Sequence, residues 1–413
     1  MKIREKIFAI ILIFFISLQT VSLASEIDLN SKSAIIVEVS TGRIIYEKAS
    51  TAQMYPASTT KIMTAILVLE NANLTDIVTV SATAVDIPSG YVTCDLQEGE
   101  EIAVKDLLYA LMLPSANDAA YALAEHVGGN VDSFADMMNV KAKEIGCMGT
   151  HFVNPNGIHD DRHYSTAYDM YLIAKYAMEN ETFRQIVSTV SYVLPATNKY
   201  PNADRVLETT NDLINPEKSK YYYKNAIGIK TGYTSNAGSC LVAESSRDGL
   251  DFISVVLGGT SEQGIRFLDT KKLFDYGYDN YTLTKIREKN TVVDTIEIEN
   301  ATDETKNLDL LISDSITIIN NKSLNVDQII PEITLNENIM APIVAGQELG
   351  TIEYKVDDIE YSAKLLASTD VEEKKYTNFI IFTAIIMLLV GISLLKKNKK
   401  KQKRKKRRTN MYV

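Results

Sequence analysis

Two periodicities run through this chain. Over residues 33–39 and again over 43–48, apolar and polar positions alternate on either side of Ser40-Thr41-Gly42, which predicts two strands joined by a tight turn. At Ser58 the spacing lengthens to a helical repeat that runs to about Asn71. Residues 77–80 read as a short strand and Pro88-Ser89-Gly90 as a turn. The pattern is helical over 104–113, where Pro114 breaks it, and again over about 118–127, where Gly128-Gly129 stops it. Amphipathic helices are expected at 131–145 and 166–179. Between them 151–164 reads as a loop turning on Asn154-Pro155-Asn156-Gly157. Strands return at 226–231, 239–245 and 252–257, followed by a helix at 264–276. Strands at both ends with helices inserted imply a sheet assembled from the two ends of one domain, a helical lobe, and a cleft between them.

The texture changes after about residue 281. Short β-rich runs at 291–298, 315–319, 329–335, 351–356 and 359–366 are separated by Asn, Asp, Pro and Gly, the pattern of a small all-β domain. A charged linker follows at 369–378. Residues 379–395 are then apolar throughout, 17 in a row, the shortest length that crosses a bilayer. Eleven Lys and Arg residues crowd into 396–408. Positive charge stays on the cytoplasmic side, so the run reads as a single C-terminal span with everything before it outside. An interfacial helix would show a charged face, and this run is apolar all round. At the other end Lys2, Arg4 and Lys6 precede the apolar run 7–18, and Ser22-Leu23-Ala24 offers small residues for cleavage after Ala24. That is the plan of a secretory signal peptide.

The expected organisation is therefore a signal peptide (1–24), an α/β domain (25–280), a β domain (281–368), the linker (369–378), a transmembrane helix (379–395) and a basic cytoplasmic tail (396–413). At 413 residues the chain exceeds one core. The net charge of -10 hides an asymmetry, because the two ends are basic and the middle is strongly acidic. Such a body repels phosphate, which argues against nucleic acid as a partner. Three cysteines, Cys94, Cys147 and Cys240, cannot pair completely and show no metal-ligand spacing, so no disulfide framework is expected.

Candidate chemistry begins at Tyr55-Pro56-Ala57-Ser58-Thr59-Thr60-Lys61. Positions i and i+3 share a helix face, so the Lys61 amine can lie over the Ser58 hydroxyl. Burial and the positive end of a helix both favour the neutral amine, which can then serve as the base for a nucleophilic serine. Alone the spacing is weak. Ser393-Leu394-Leu395-Lys396 repeats it at the end of the apolar run, and a capping serine with a snorkelling lysine gives the same letters. Two further signals change the weight. Pro114-Ser115-Ala116-Asn117 presents a hydroxyl and a carboxamide between two helices, although either could simply cap the second. Gly228-Ile229-Lys230-Thr231-Gly232 places a cation, a hydroxyl and a bare backbone on one strand, although an edge lysine can also be merely solvated.

In this order the three are the S-x-x-K, S-x-N and K-T-G set of penicillin-binding proteins and class A β-lactamases. The chain resembles the D-alanyl-D-alanine carboxypeptidases among the low-molecular-mass penicillin-binding proteins, peptidase family S11. The likeness extends over about 24–366, including His151-Phe152-Val153-Asn154-Pro155-Asn156-Gly157, His163-Tyr164-Ser165-Thr166-Ala167, Arg266-Phe267 and the smaller β domain. It implies an α/β fold: a β-lactamase/transpeptidase-like domain of antiparallel sheet plus helical lobe, then the small all-β domain and the transmembrane helix. It implies a membrane-held enzyme trimming the terminal D-alanine from peptidoglycan stem peptides, with β-lactams as covalent inhibitors and no cofactor or metal. Carried over, Ser58 is the acylated nucleophile, Lys61 its base, Ser115 a proton relay and Asn117 an orienting amide. Lys230, Thr231, Gly232 and Arg266 would receive the substrate, and the backbone N–H groups of Ser58 and Tyr233 would form the oxyanion hole. Tyr233 stands where some members carry histidine.

Three other readings compete. A zinc peptidase could draw on His151, His159, Asp160 and His163, but no H-E-x-x-H is present and a Pro/Gly loop is a poor rigid frame. A β-lactamase needs a placed carboxylate for rapid deacylation, and no glutamate stands out for it. A non-hydrolytic penicillin sensor or wall-binding protein would keep the serine and lysine without the peptidase activity.

Overall fold

The computed structural model describes residues 27–202, 204–217, 220–374 and 377–409; the expected signal peptide lies outside them. The chain divides into two compact units, Met1–Thr282 and Leu283–Val413.

In the first unit, β1 (Ser33–Glu38) and β2 (Ile44–Lys48) are followed by a 3-10 turn, Ala57–Thr60, that leads into α1 (Lys61–Asn71). The helical lobe continues with β3 (Ile77–Thr79), α2 (Ala82–Val85), β4 (Glu101–Ala103), α3 (Val104–Met112), α4 (Asn117–Gly128), α5 (Val131–Ile145), α6 (Ala167–Met178) and α7 (Glu181–Val187). Two three-residue strands, β5 (Ser191–Val193) and β6 (Val206–Glu208), then pair with each other. β7 (Ala226–Thr234), β8 (Gly238–Arg247), β9 (Leu250–Leu257) and α8 (Ile265–Asn280) close the unit. The sheet is antiparallel with order β2-β1-β9-β8-β7, so strands from the two ends of the domain meet at β1–β9 and β7 is an edge.

The sheet is covered on both faces. Ile35 and Val37 enter the core shared with the helical lobe, while the Ile36 side chain approaches Gly277 of α8 on the other face. Every residue of β1 is consequently buried, where alternation alone predicts one solvated face. Each such Ile or Val contributes about 1.5–3 kcal/mol by leaving water. α1 is buried from Lys61 to Val68 because it is the axial helix of its lobe, packed against α3, α4, α5, α6 and α7. Helix ends follow local chemistry. Asn130 caps α5, Thr166 caps α6 and Asn180 caps α7, while α4 and α5 end on the left-handed residues Gly129 and Gly146.

β10 (Tyr281–Arg287) runs across the boundary, and the second unit continues with β11 (Val292–Glu297), β12 (Asn307–Ile312), β13 (Ile316–Asn321), β14 (Glu332–Leu335), β15 (Glu348–Val356) and β16 (Ile359–Ala367). Five of them form an antiparallel sheet, β11-β12-β16-β15-β14, and β10 pairs with β13. Its core is Ile298, Leu308, Leu310, Ile312, Ile318, Ile352, Tyr354 and Leu365 with their neighbours. The alternation of the sequence is kept here because one face stays wet. α9 (Thr377–Thr409) is a single helix through the apolar run and the basic tail. At 1.5 Å per residue its 33 residues span about 50 Å, more than the ~30 Å of bilayer hydrocarbon. Among the described residues it is the one helix long and apolar enough to cross a membrane.

Candidate active site

Pro56 opens the 3-10 turn that carries Ser58, and the helix proper starts only at Lys61. The expected neighbourhood survives this change of helix type: Lys61 Nζ stands 3.1 Å from Ser58 Oγ. The same nitrogen lies 2.9 Å from Asn117 Oδ1 and 2.9 Å from the Asn156 carbonyl oxygen. Lys61 has no exposed surface. Burial, reinforced by the nearby Lys230 cation and opposed by Asp118, holds its pKa well below the ordinary lysine value.

The wall beneath Lys61 is the 154–157 loop. Thr64 Oγ1 donates to the Pro155 carbonyl at 2.6 Å, and Thr60 Oγ1 lies 2.8 Å from His163 Nε2. Val153 N–H donates to His163 Nδ1, which leaves the ring proton on Nε2 to face Thr60. Burial pushes the His163 pKa down to about 4, so the ring is neutral. Gly157 has φ +80, and a Cβ there would sit 1.9 Å from the Ala57 carbonyl oxygen. Only glycine fits so close to the Ser58 turn.

Pro114 ends α3, and Ser115 follows with φ +74, a left-handed backbone that costs about 1–3 kcal/mol in a non-glycine residue. Its hydroxyl oxygen is shielded from solvent and has no hydrogen-bond partner among the described residues. Asn117, the first residue of α4, donates from its backbone N–H and from Nδ2 to the Val92 carbonyl, at 2.9 and 3.0 Å. That fixes the amide so that Oδ1 faces Lys61. The Val92 segment is held in turn by the buried Asp118 carboxylate, which accepts the backbone N–H groups of Cys94 and Leu96.

β7 supplies the opposite wall. Lys230 is buried, and its pKa is lowered to about 7 by burial and then by the Arg266 guanidinium. Thr231 Oγ1 lies 2.6 Å from Thr210 Oγ1, a contact that no sequence motif announces. Arg266, on α8, donates from Nη1 to the Gly232 carbonyl at 3.1 Å, and its Nε has no partner among the described residues. A Cβ on Gly232 would lie 3.1 Å from the Ser58 backbone nitrogen, so the edge strand and the Ser58 turn are nearly in contact. Between the walls lies a cavity of about 480 Å³ lined by Ser58, Tyr91, Val92, Ser115, Asn117, Thr210, Thr231, Gly232, Tyr233 and Arg266 among others. The three sequence patterns thus converge on one cleft, joined by Asn156 of the 154–157 turn and by Thr210, Val92 and Asp118, whose parts in it no pattern announced.

The residues of the competing zinc set go separate ways. His151 Nδ1 meets the Arg162 carbonyl, His159 Nε2 meets Asn236, and Asp160 pairs with Arg162. Among the described residues no three His, Cys, Asp or Glu side chains are grouped to hold a metal. The three cysteines are buried and free.

Comparison with known proteins adds a family to this geometry. Residues 19–261 match the family model described as D-alanyl-D-alanine carboxypeptidase, and 281–373 match the C-terminal domain of penicillin-binding protein 5. The chain is 32% identical to the D-alanyl-D-alanine carboxypeptidase DacF of Bacillus subtilis, over 87% of this chain and 89% of that one. It is 30% identical to DacC of Escherichia coli, over 87% and 88%. Among solved structures, penicillin-binding protein 5 of Haemophilus influenzae superposes with a TM-score of 0.65 at 27% identity, covering 84% of this chain and 99% of that one.

Proposed function

Because the chain belongs to the D-alanyl-D-alanine carboxypeptidase family S11, and is a serine-type, penicillin-binding member acting on peptidoglycan peptides, we propose that Ser58 is its nucleophile and neutral Lys61 the base. One observation carries this assignment. A neutral lysine has two N–H groups and one lone pair; Asn117 Oδ1 and the Asn156 carbonyl take the two N–H groups, and the lone pair is left for the Ser58 O–H 3.1 Å away. Burial keeps the amine in that state.

The steps follow from the walls. The penultimate D-alanine carbonyl enters against the open edge of β7, with its oxygen toward the backbone N–H groups of Ser58 and Tyr233. Lys61 accepts the hydroxyl proton as Ser58 Oγ bonds to the carbonyl carbon. The amide C–N bond then breaks, and Ser115, whose hydroxyl is otherwise unpartnered, passes a proton to the departing D-alanine amine. Water returns over the same base to release the trimmed peptide. The terminal carboxylate meets Lys230, Thr231, Thr210 and Arg266 beside Gly232, a cationic end that selects a chain terminus over an internal bond. β-Lactams carry both an amide and a carboxylate, and acylate Ser58 by the same route.

α9 spans the bilayer with its basic end in the cytoplasm and the catalytic unit outside; nucleic acid has no part in the activity. The test is benzylpenicillin labelling of the purified chain, read by peptide mass spectrometry, beside release of D-alanine from a peptide ending D-Ala-D-Ala. Both are expected at Ser58 and absent in Ser58→Ala. An adduct that persists in Ser58→Ala would remove the assignment.

A further inference from the structure

Most outward-facing positions of the β15–β16 ribbon are polar: Thr351 and Lys355 on one strand, Glu360, Ser362 and Lys364 on the other. The segment leading into β15 departs from this. Ala341 and Ile343 point inward and are buried, while Met340 (45% exposed), Pro342 and Val344 (66% exposed) point outward. The alternation is that of a strand, but its wet face is apolar.

The place of this ridge is fixed by register. Ile343 bridges Val371 in antiparallel fashion, which brings Met340 level with Lys374. The Glu299–Met340 and Ala301–Glu373 bridges and the Lys374 N–H to Asn300 carbonyl bond agree with that level. α9 begins at Thr377. Three residues reach at most about 11 Å, so the end of the sheet carrying the ridge cannot stand far from the start of the membrane helix.

We propose that Met340, Pro342 and Val344 form a bilayer-contact ridge seated in the interfacial layer of the membrane that α9 crosses. The proposal rests on the reading of α9 as a span. Exposed apolar rows are uncommon on soluble sheets and are used at interfaces; here the tether decides which interface is at hand. The neighbouring strand turns Asp370 and Glu372 outward beside the ridge. These carboxylates keep the contact shallow, at the depth of ammonium-bearing headgroups, while the three apolar side chains reach the acyl boundary. The contact gives the β domain a second point of attachment beside the start of α9.

The chain contains no tryptophan, so one substitution creates a lone reporter. Met340→Trp and Val344→Trp are made in the full chain, with Ile330→Trp as the control. Ile330 is 88% exposed and, by continuation of the β14–β15 register, lies level with Lys355 at the far end of the sheet. Each protein is reconstituted into phosphatidylcholine–phosphatidylethanolamine vesicles, and flotation reports insertion. At 340 and 344 the expected result is blue-shifted emission, at least twofold quenching by lipid brominated on the acyl chain, and acrylamide quenching at least twofold weaker than at 330. Protein that floats yet is quenched equally by acrylamide at all three positions overturns the ridge and leaves the span intact. Protein that does not float overturns the span, and the ridge with it. Should Met340→Trp lose its sheet signal in circular dichroism, Val344→Trp, the more exposed site, carries the same test.

Discussion

The catalytic unit and the C-terminal β unit use charge in opposite ways. In the first, Lys61, Lys230, Glu100, Asp118, Glu244 and Arg266 are all buried, and Glu100 is clasped by Arg205. In the second, Asn320 is the one buried polar side chain among the described residues, and ion pairs such as Lys364–Glu348 and Lys355–Glu360 lie in solvent. Buried charge is costly to keep and shifts pKa values far from their ordinary range. A unit tolerates it where proton transfer is needed or where a loop must be held; the β unit shows neither requirement.

Four substitutions test that contrast. Lys61→Met keeps the volume and removes the amine; acylation by penicillin and D-alanine release are expected to fall about 10³-fold or more while the fold is retained. An acylation rate near that of the parent chain would show that burial of Lys61 serves structure alone. Arg205→Met leaves the Glu100 carboxylate buried and unpaired, with an expected loss of about 3–5 kcal/mol in denaturant unfolding of the catalytic unit.

His163 gives the contrast a pH dependence. Its folded pKa of about 4 lies below the ordinary 6.5, so the unfolded chain takes up the proton first as pH falls. Its contribution is therefore complete above pH 6.5 and is lost progressively as pH falls from there through 4, by about 3 kcal/mol in all. His163→Gln should flatten that part of the stability profile; an unchanged slope would place the titration elsewhere. At the small end, Lys364→Ala in the β unit should change stability by no more than about 1 kcal/mol, because its partner Glu348 stays hydrated. A loss as large as that of Arg205→Met would erase the distinction between the units.

Legibility followed the same division. The β unit could be read because alternation survives where one face is wet, although the runs that became β10 and β12 escaped notice: apolar positions there are broken by single charges. A sheet assembled from both ends of the first unit, with a helical lobe inserted, was readable from where the strands fall; its antiparallel order came only with the family resemblance. Hidden were β4, β5 and β6, three residues each and too short to show a period, and the short helices α2 and α7. The cleft's patterns stood out because each is contiguous. What joins them did not: the Val92 and Asn156 carbonyls act through backbone atoms that any residue would supply, and Asp118 and Thr210 gain their partners only when distant segments fold together. The 3-10 form of the Ser58 turn was equally invisible, since the segments packed against it, at Gly157 and Gly232, are distant in sequence.

That close approach limits how this protein could escape an acylating drug. With two glycines pressed against the turn, one from the loop and one from the strand, a methyl group added at either would dislodge the backbone that carries Ser58. Side chains at the rim of the cleft, such as Tyr91 and Tyr233, are under no such constraint, and substitutions that tune entry without disturbing the turn are expected there.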